Sequence, residues 1–249
     1  MARKKRVISK TGIYHVILRG NNKQLLFEDN DDYAYFLSRL SFYTSVCACE
    51  LYAYCLMDNH VHLLLKSGPE SVSTFVKRLS NSYVYWFNHK YNRIGHLFQG
   101  RFKSEPVDDK RYFLTVLRYI HNNPVRAGVV GQCADYPYCS YSEYLGNAML
   151  ISASSNHLFA STGDFIRFHD EVSDDSGCLD ISDKNNRRIS DRDAITHIRS
   201  VLTAFDLTIN QLQSLSRKVR NDYLQQFRNI GISINQLSRI TGISCAIIK

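Results

Sequence analysis

Residues 50–66 read ELYAYCLMDNHVHLLLK, and this stretch decides the fold. Two apolar runs rich in aromatic and aliphatic side chains, residues 50–57 and 60–66, flank Asp58-Asn59, a two-residue connection of hairpin type. Working outward, residues 13–18 (IYHVIL) form another strand pattern that stops at Arg19-Gly20-Asn21-Asn22. Between them, residues 31–46 place Tyr33, Phe36, Leu37 and Leu40 at helical spacing, with Asp31 and Asp32 at the positive end of the helix dipole. Residues 71–91 carry the longest helical pattern, residues 97–107 return to strand character, and a helix follows over about 109–122. The order strand, helix, strand, strand, helix, strand, helix predicts an α+β fold of the ferredoxin-like, split βαβ kind, with helices on one face of an antiparallel sheet. Such a scaffold hosts many activities, so function must come from a site.

The strand-bearing domain extends over residues 1–148. Residues 149–186 form a polar, acidic linker with one short helix around Phe165, and residues 187–249 a small all-helical region. The chain has 249 residues and a net charge of +8. Its basic surplus is concentrated in residues 1–150, which hold 19 Lys and Arg against 12 Asp and Glu. With 16 tyrosines, this balance suits a polyanion whose bases stack on aromatic faces. No apolar run approaches the roughly 20 residues of a membrane span, and no signal peptide opens the chain, so a cytoplasmic location without membrane partners is expected. The seven cysteines, without CxxC pairs, read as reduced thiols rather than a disulfide scaffold or zinc ribbon.

Two constellations carry chemistry. His60 and His62 sit two apart on a strand, share a face and lie about 7 Å apart along it, so both imidazoles are able to converge on one cation. Two histidines that merely hydrogen-bond within a sheet would show the same spacing. Tyr119 and Asn123 are at i and i+4 on a helix and share its face, although Pro124 pushes Asn123 toward the outside of the last turn. A tyrosine before an ordinary Asn-Asn-Pro helix stop would look alike. Taken together, two imidazoles and an amide oxygen are able to hold a divalent ion that polarises a phosphodiester, beside a phenol that attacks phosphorus.

The motifs MDNHVHLLLK and YIHNNPVRAG, with Tyr14-His15-Val16, Arg19-Gly20-Asn21 and QGRFK at residues 99–103, resemble the single-tyrosine HUH transposases, most of all the REP-associated tyrosine transposases. The likeness spans about residues 5–146, with Asp58 where such proteins commonly carry proline. It implies metal ligation by His60, His62 and Asn123, nucleophilic attack by Tyr119, and Mg²⁺ or Mn²⁺ as cofactor. It further implies cleavage and rejoining of single-stranded DNA near hairpins through a 5′-phosphotyrosine intermediate, by a monomer or a homodimer. Zinc is disfavoured by the lack of a well-spaced third His or Cys, unless folding brings His96 or Cys55 near.

Arg3, Lys4, Lys5 and Arg6 form a basic arm, and Arg19, Asn21, Arg101 and Lys103 are the further candidates for DNA contact, Arg101 and Lys103 alternating with Phe102 on a strand. Near the C-terminus, residues 232–244 resemble a helix-turn-helix, with Ser233 as N-cap and Gly242 in the turn, but the would-be recognition helix is about five residues long, too short to stand alone. The alternative function is a non-catalytic single-stranded nucleic-acid-binding module on the same sheet, which explains charge and aromatics but not the two histidines.

Overall fold

The computed structural model describes residues 6–146, 149–171, 177–179 and 191–248, apart from the side chain of residue 156. Four strands, β1 (Ile13–Arg19), β2 (Glu50–Met57), β3 (His60–Lys66) and β4 (Lys103–Pro106), form one sheet in the order β2-β3-β1-β4. All neighbouring pairs are antiparallel. Strand alternation divides the residues between the two faces. Val16, Leu18, Val61, Leu63, Leu65, Tyr54 and Leu56 face one core, in which α1 (Asn30–Val46) and α2 (Val72–Lys90) contribute Phe36, Leu40, Phe75, Leu79, Tyr83 and Phe87. Asp29 and Asp32 cap α1 reciprocally, and the Ser71 hydroxyl caps α2 by accepting from Thr74 N–H.

These two helices share one face, as the split βαβ order predicts. A third helix, α3 (Lys110–Arg126), corrects the expectation of a single helical face. It lies across the opposite side, where Ala53, Cys55, Met57 and Leu64 pack with Phe113, Val116, Leu117, Tyr119 and Ile120. β2 is apolar on both faces and β3 is buried on both, so the sheet requires cover on both sides.

Three local expectations change. Strand character over 97–107 contracts to β4, because Gly100 turns with φ of +57° and residues 97–99 instead bend around the end of β1, where Gln99 N–H donates to Arg19 O at 2.8 Å. Arg101 therefore sits in a loop and not on a strand. The third helix continues through Pro124, since burial of Ile120 and Pro124 holds it to the sheet while Ala127 N–H closes the last turn on Asn123 O at 3.0 Å. Asn123 is thus helical. Within the expected linker, α4 (Thr162–Asp170) packs on α3 and buries Phe165 in the second core, so this part belongs to the domain's packing.

The C-terminal helices α5 (Asp191–Thr203), α6 (Arg217–Asn229), α7 (Ile234–Thr241) and α8 (Cys245–Ile248) build a third apolar cluster around Ile198, Leu202, Leu212, Phe227, Leu237 and Ile240. Leu25, from the loop after β1, completes it. Polar bonds fix the junction. Glu28 accepts from Asn210 Nδ2 at 2.7 Å and Ile209 N–H at 3.2 Å, and Asn22 Nδ2 donates to Ser238 Oγ at 2.5 Å. Among the described residues no helix is long and apolar enough to cross a membrane. All seven cysteines are free thiols.

Candidate active site

The hairpin register sets the site. On the α3 face of the sheet, Arg19 lies opposite His60, Ile17 opposite His62, and His15 opposite Glu105. His62 and His15 are wholly buried, with ring centroids 5.3 Å apart and His62 Nδ1 3.0 Å from His15 Nε2. His15 Nδ1 lies 2.7 Å from Glu105 Oε1. A carboxylate only accepts, so Nδ1 of His15 carries the proton, and in neutral His15 the Nε2 lone pair then accepts from His62 Nδ1–H. The relay leaves the His62 Nε2 lone pair facing outward, 3.3 Å from the Asn123 amide nitrogen. His60 repeats the logic more simply: Nδ1–H donates to Asn59 Oδ1 at 2.7 Å, and Nε2 faces Asn123 Oδ1 at 3.3 Å.

Electrostatics favour the same protonation states. Burial, followed by the neighbouring His60 and His15, pushes His62 well below the usual imidazole range, which keeps it neutral and able to donate a lone pair. Burial would raise the Glu105 carboxyl, but the His15 bond and charge, Leu179 N–H and Tyr112 hold it below its ordinary value. Tyr112 also receives the cost of this: burial, then Glu105, raises its phenol well above the usual value.

Tyr119 comes from α3 and packs its ring edge-on against both imidazoles of the relay, with centroids 5.6 Å from His62 and 5.9 Å from His15. It is 2% exposed. The Arg126 guanidinium lies over the same ring at 5.1 Å. The fold therefore brings His60, His62, Tyr119 and Asn123 to one place from a hairpin and a helix about sixty residues apart.

Two imidazole nitrogens and a carboxamide oxygen form a donor set that suits a hard divalent cation needing further oxygen ligands from water or phosphate. His60 Nε2 and Asn123 Oδ1, both lone-pair bearing, face each other at 3.3 Å, an arrangement that a cation between them relieves. Among the described residues no group of three or more His, Cys, Asp or Glu is placed to hold a metal. Cys55 does lie opposite His62, but burial and Cys139 raise its thiol well above the ordinary value and keep it protonated.

The basic candidates are distributed unevenly. Arg19 ends β1 beside His60, Lys103 is exposed on the His15 and Glu105 face, and Asn21 is exposed in the loop between β1 and α1. Arg101 is exposed in the loop before β4. Arg6 is no free arm: its guanidinium stacks on Phe102 at 3.7 Å and donates to Ser73 Oγ and Phe102 O. Arg3, Lys4 and Lys5 lie outside the described residues. Sequence reasoning missed His15, Glu105, Asn59 and Arg126. A buried histidine two residues ahead of Ile17 on an otherwise apolar strand was the one available signal.

A ferredoxin-like sheet that presents a histidine pair against a helical tyrosine and asparagine is similar to the arrangement of the HUH tyrosine transposases, enzymes that cleave and rejoin DNA. Residues 9–123 match the family model described as transposase, IS200-like. A Haemophilus influenzae protein classed with the REP-associated tyrosine transposases is 26% identical over 159 residues, covering 57% of this chain and 86% of that protein. The solved structure of a REP-associated tyrosine transposase bound to a REP hairpin aligns with a TM-score of 0.53 at 18% identity, over 76% of this chain and 100% of that one. At that identity the likeness speaks for the fold.

Proposed function

We propose that the chain is a metal-dependent endonuclease and strand transferase acting on single-stranded DNA that carries hairpins. Tyr119 is its nucleophile, and His60, His62 and Asn123 would hold Mg²⁺ or Mn²⁺. The observation that carries this reading is the convergence of both His Nε2 atoms on the Asn123 carboxamide at 3.3 Å, with the Tyr119 ring in edge contact with His62. When bound, the ion supplies Lewis-acid polarisation of the scissile phosphate.

The protein's own residues do the rest. Glu105 and His15 fix the tautomer of His62, and Asn59 fixes that of His60, so both lone pairs point one way. Tyr119 Oη forms a bond to phosphorus as the P–O3′ bond breaks, the phenolic proton leaves, and the 3′ oxygen departs to become a hydroxyl. The phosphotyrosine ester conserves the energy of the broken linkage, so a second 3′-hydroxyl is able to reverse the step. Since the ring is 2% exposed, a phosphodiester reaches it only after local opening of the surrounding chain. Arg19, Asn21, Arg101 and Lys103 would track the strand backbone, as would Arg3, Lys4 and Lys5. The likeness to a protein solved with a REP hairpin supports hairpin-bearing DNA as the substrate class.

The test incubates purified protein with hairpin-bearing single-stranded oligonucleotides in Mn²⁺ and resolves covalent adducts on denaturing gels. Wild type forms an adduct that chelator abolishes. Tyr119→Phe forms none while still binding the oligonucleotide. An undiminished adduct in that variant assigns the nucleophile elsewhere, and scission indifferent to chelator removes the metal.

A further inference from the structure

On the far side of α2 from the sheet, Asn81, Tyr85, Asn88, His89, Asn92 and Arg93 line an open cavity of about 720 Å³, within the size range of roughly 300–1,000 Å³ typical of small-ligand sites. No carboxylate lines it. Arg93 is only 8% exposed, and among the described residues it has no acidic partner. Its guanidinium bonds two neutral amides, Gln24 Oε1 at 2.7 Å and Gln213 Oε1 at 3.3 Å, and lies over the Phe87 ring at 5.5 Å, and among the described residues its Nη1 has no hydrogen-bond partner. Burial without a compensating carboxylate lowers the arginine to about 10. A buried, uncompensated cation is costly and marks a place where an anion is at home.

The remaining lining adds recognition chemistry of another kind. Tyr85 is 79% exposed, an unusual position for a large ring, and presents its π-face to solvent beside three carboxamides. Ile94, next to Arg93, is 97% exposed. A phosphate, an aromatic base face and base-edge hydrogen bonds are the three features of a nucleotide, and this cavity offers a counterpart to each.

Its place in the fold links it to the histidine pair. Gln24, which holds Arg93, also donates to Leu97 O at 2.7 Å, and Leu97 O accepts from Asn21 N–H at 2.7 Å. Gly20 N–H in turn donates to Asn59 O, the residue before His60. These bonds connect Arg93 with the turn that precedes His60, while α2 and the histidines lie on opposite faces of the sheet.

We propose that this cavity is a second nucleic-acid subsite, which takes a nucleotide of the single strand flanking the cleaved linkage, its base stacked on Tyr85 and its phosphate neutralising Arg93. The proposal rests on the reading of the chain as a single-stranded DNA enzyme. The test uses a fluorescein-labelled hairpin with an oligothymidine tail and the same hairpin without it, in chelator, by anisotropy across a salt series. Tyr85→Ala changes an exposed side chain and leaves the fold intact; it weakens binding of the tailed probe by about 5- to 30-fold, the loss of one stacked base, and leaves the tailless hairpin unchanged. Arg93→Gln lowers the slope of log affinity against log salt by about 1 for the tailed probe, which a purely structural defect does not do.

Photo-crosslinking with iodouridine in the tail maps to the peptide containing Tyr85. Unchanged affinity and slope in both variants, while wild type still forms its Tyr119 adduct, overturn the subsite and leave the function standing. Failure of wild type to bind either probe or to form an adduct overturns both.

Discussion

Replacing Glu105 with Gln tests the proton relay behind His62. In the wild type the carboxylate only accepts, which fixes the proton on His15 Nδ1 and, through the 3.0 Å contact, on His62 Nδ1. A carboxamide in its place supports either direction, and when it donates to His15 Nδ1 the relay reverses and puts a proton on His62 Nε2, where the metal lone pair should be. The lost quantity is the difference between a charge-assisted and a neutral hydrogen bond, about 1–1.5 kcal/mol, or roughly tenfold in occupancy of the competent tautomer. Removal of outer partners of metal-binding histidines typically costs about 10- to 100-fold in affinity, which brackets this figure from above. Manganese binding is read by paramagnetic resonance on DNA-free protein, and adduct formation is measured against Mn²⁺ concentration. The expected outcome is a half-saturating Mn²⁺ concentration raised by about tenfold or more, with the rate at saturating metal changed by less than that factor. Unaltered Mn²⁺ affinity in a variant that melts like wild type would refute the relay.

Three further outcomes follow from packing and protonation. Burial, partly offset by Arg199, raises Glu28 to about 7 from 4.5, so the folded state holds a proton that the unfolded chain releases. Stability therefore falls as pH rises from 4.5 through 7, by up to about 3 kcal/mol, and Glu28→Gln removes the loss; denaturant melts at pH 5 and pH 8 should diverge between wild type and variant only at the higher pH. Burial lowers His169, whose Nδ1–H donates to Phe165 O and whose Nε2 accepts from His121 Nδ1–H at 2.9 Å, from 6.5 to about 4. Its contribution is intact above pH 6.5 and is lost as pH falls through 4, about 3 kcal/mol in all, so the difference between wild type and His169→Gln should shrink toward low pH in the same melts. Gly242 has φ of +71°, and a Cβ there would sit 2.3 Å from both Gln213 Nε2 and Gln24 Oε1. Gly242→Ala should cost about 1–3 kcal/mol and expose the C-terminal helices to limited proteolysis before the sheet domain.

The hairpin was legible because its determinants are local. Apolar runs of strand length around Asp58-Asn59 leave one register, and that register alone puts His60 and His62 on a common face. The pairing of Tyr119 with Asn123 was legible for the same reason, as a helical spacing. Glu105 was not: it meets His15 across 90 residues, and only the placement of β4 beside β1 makes a solvent-type glutamate the head of a buried relay. The continuation of α3 through Pro124 was hidden because local backbone preference argues for a stop, whereas burial of Ile120 and Pro124 against the sheet argues for continuation, and packing wins. The second helical face has the same cause: a strand apolar on both sides announces a second cover without saying which helix supplies it.

The C-terminal helices show how a pattern retains its local geometry while changing its use. Ser233 and Gln236 cap α7 reciprocally and Gly242 ends it in the left-handed region, as a helix-turn-helix would. Yet Gln236, Leu237, Ser238, Arg239, Ile240 and Thr241 are all buried, and Ser238 bonds Asn22 while Thr241 O accepts from Gln213. α7 is therefore spent on packing, and the element that would have to enter a groove is the four-residue α8, too short to stand as a recognition helix. What it grips instead is the loop after β1, where Asn22 and Lys23 both have positive φ and Leu25 enters the helical cluster. Holding such a loop in one conformation opposes about 1–2 kcal/mol of backbone entropy per residue. The loop begins at Arg19 and Gly20, against Asn59 and His60, so docking of the helices also fixes the backbone beside the histidine pair.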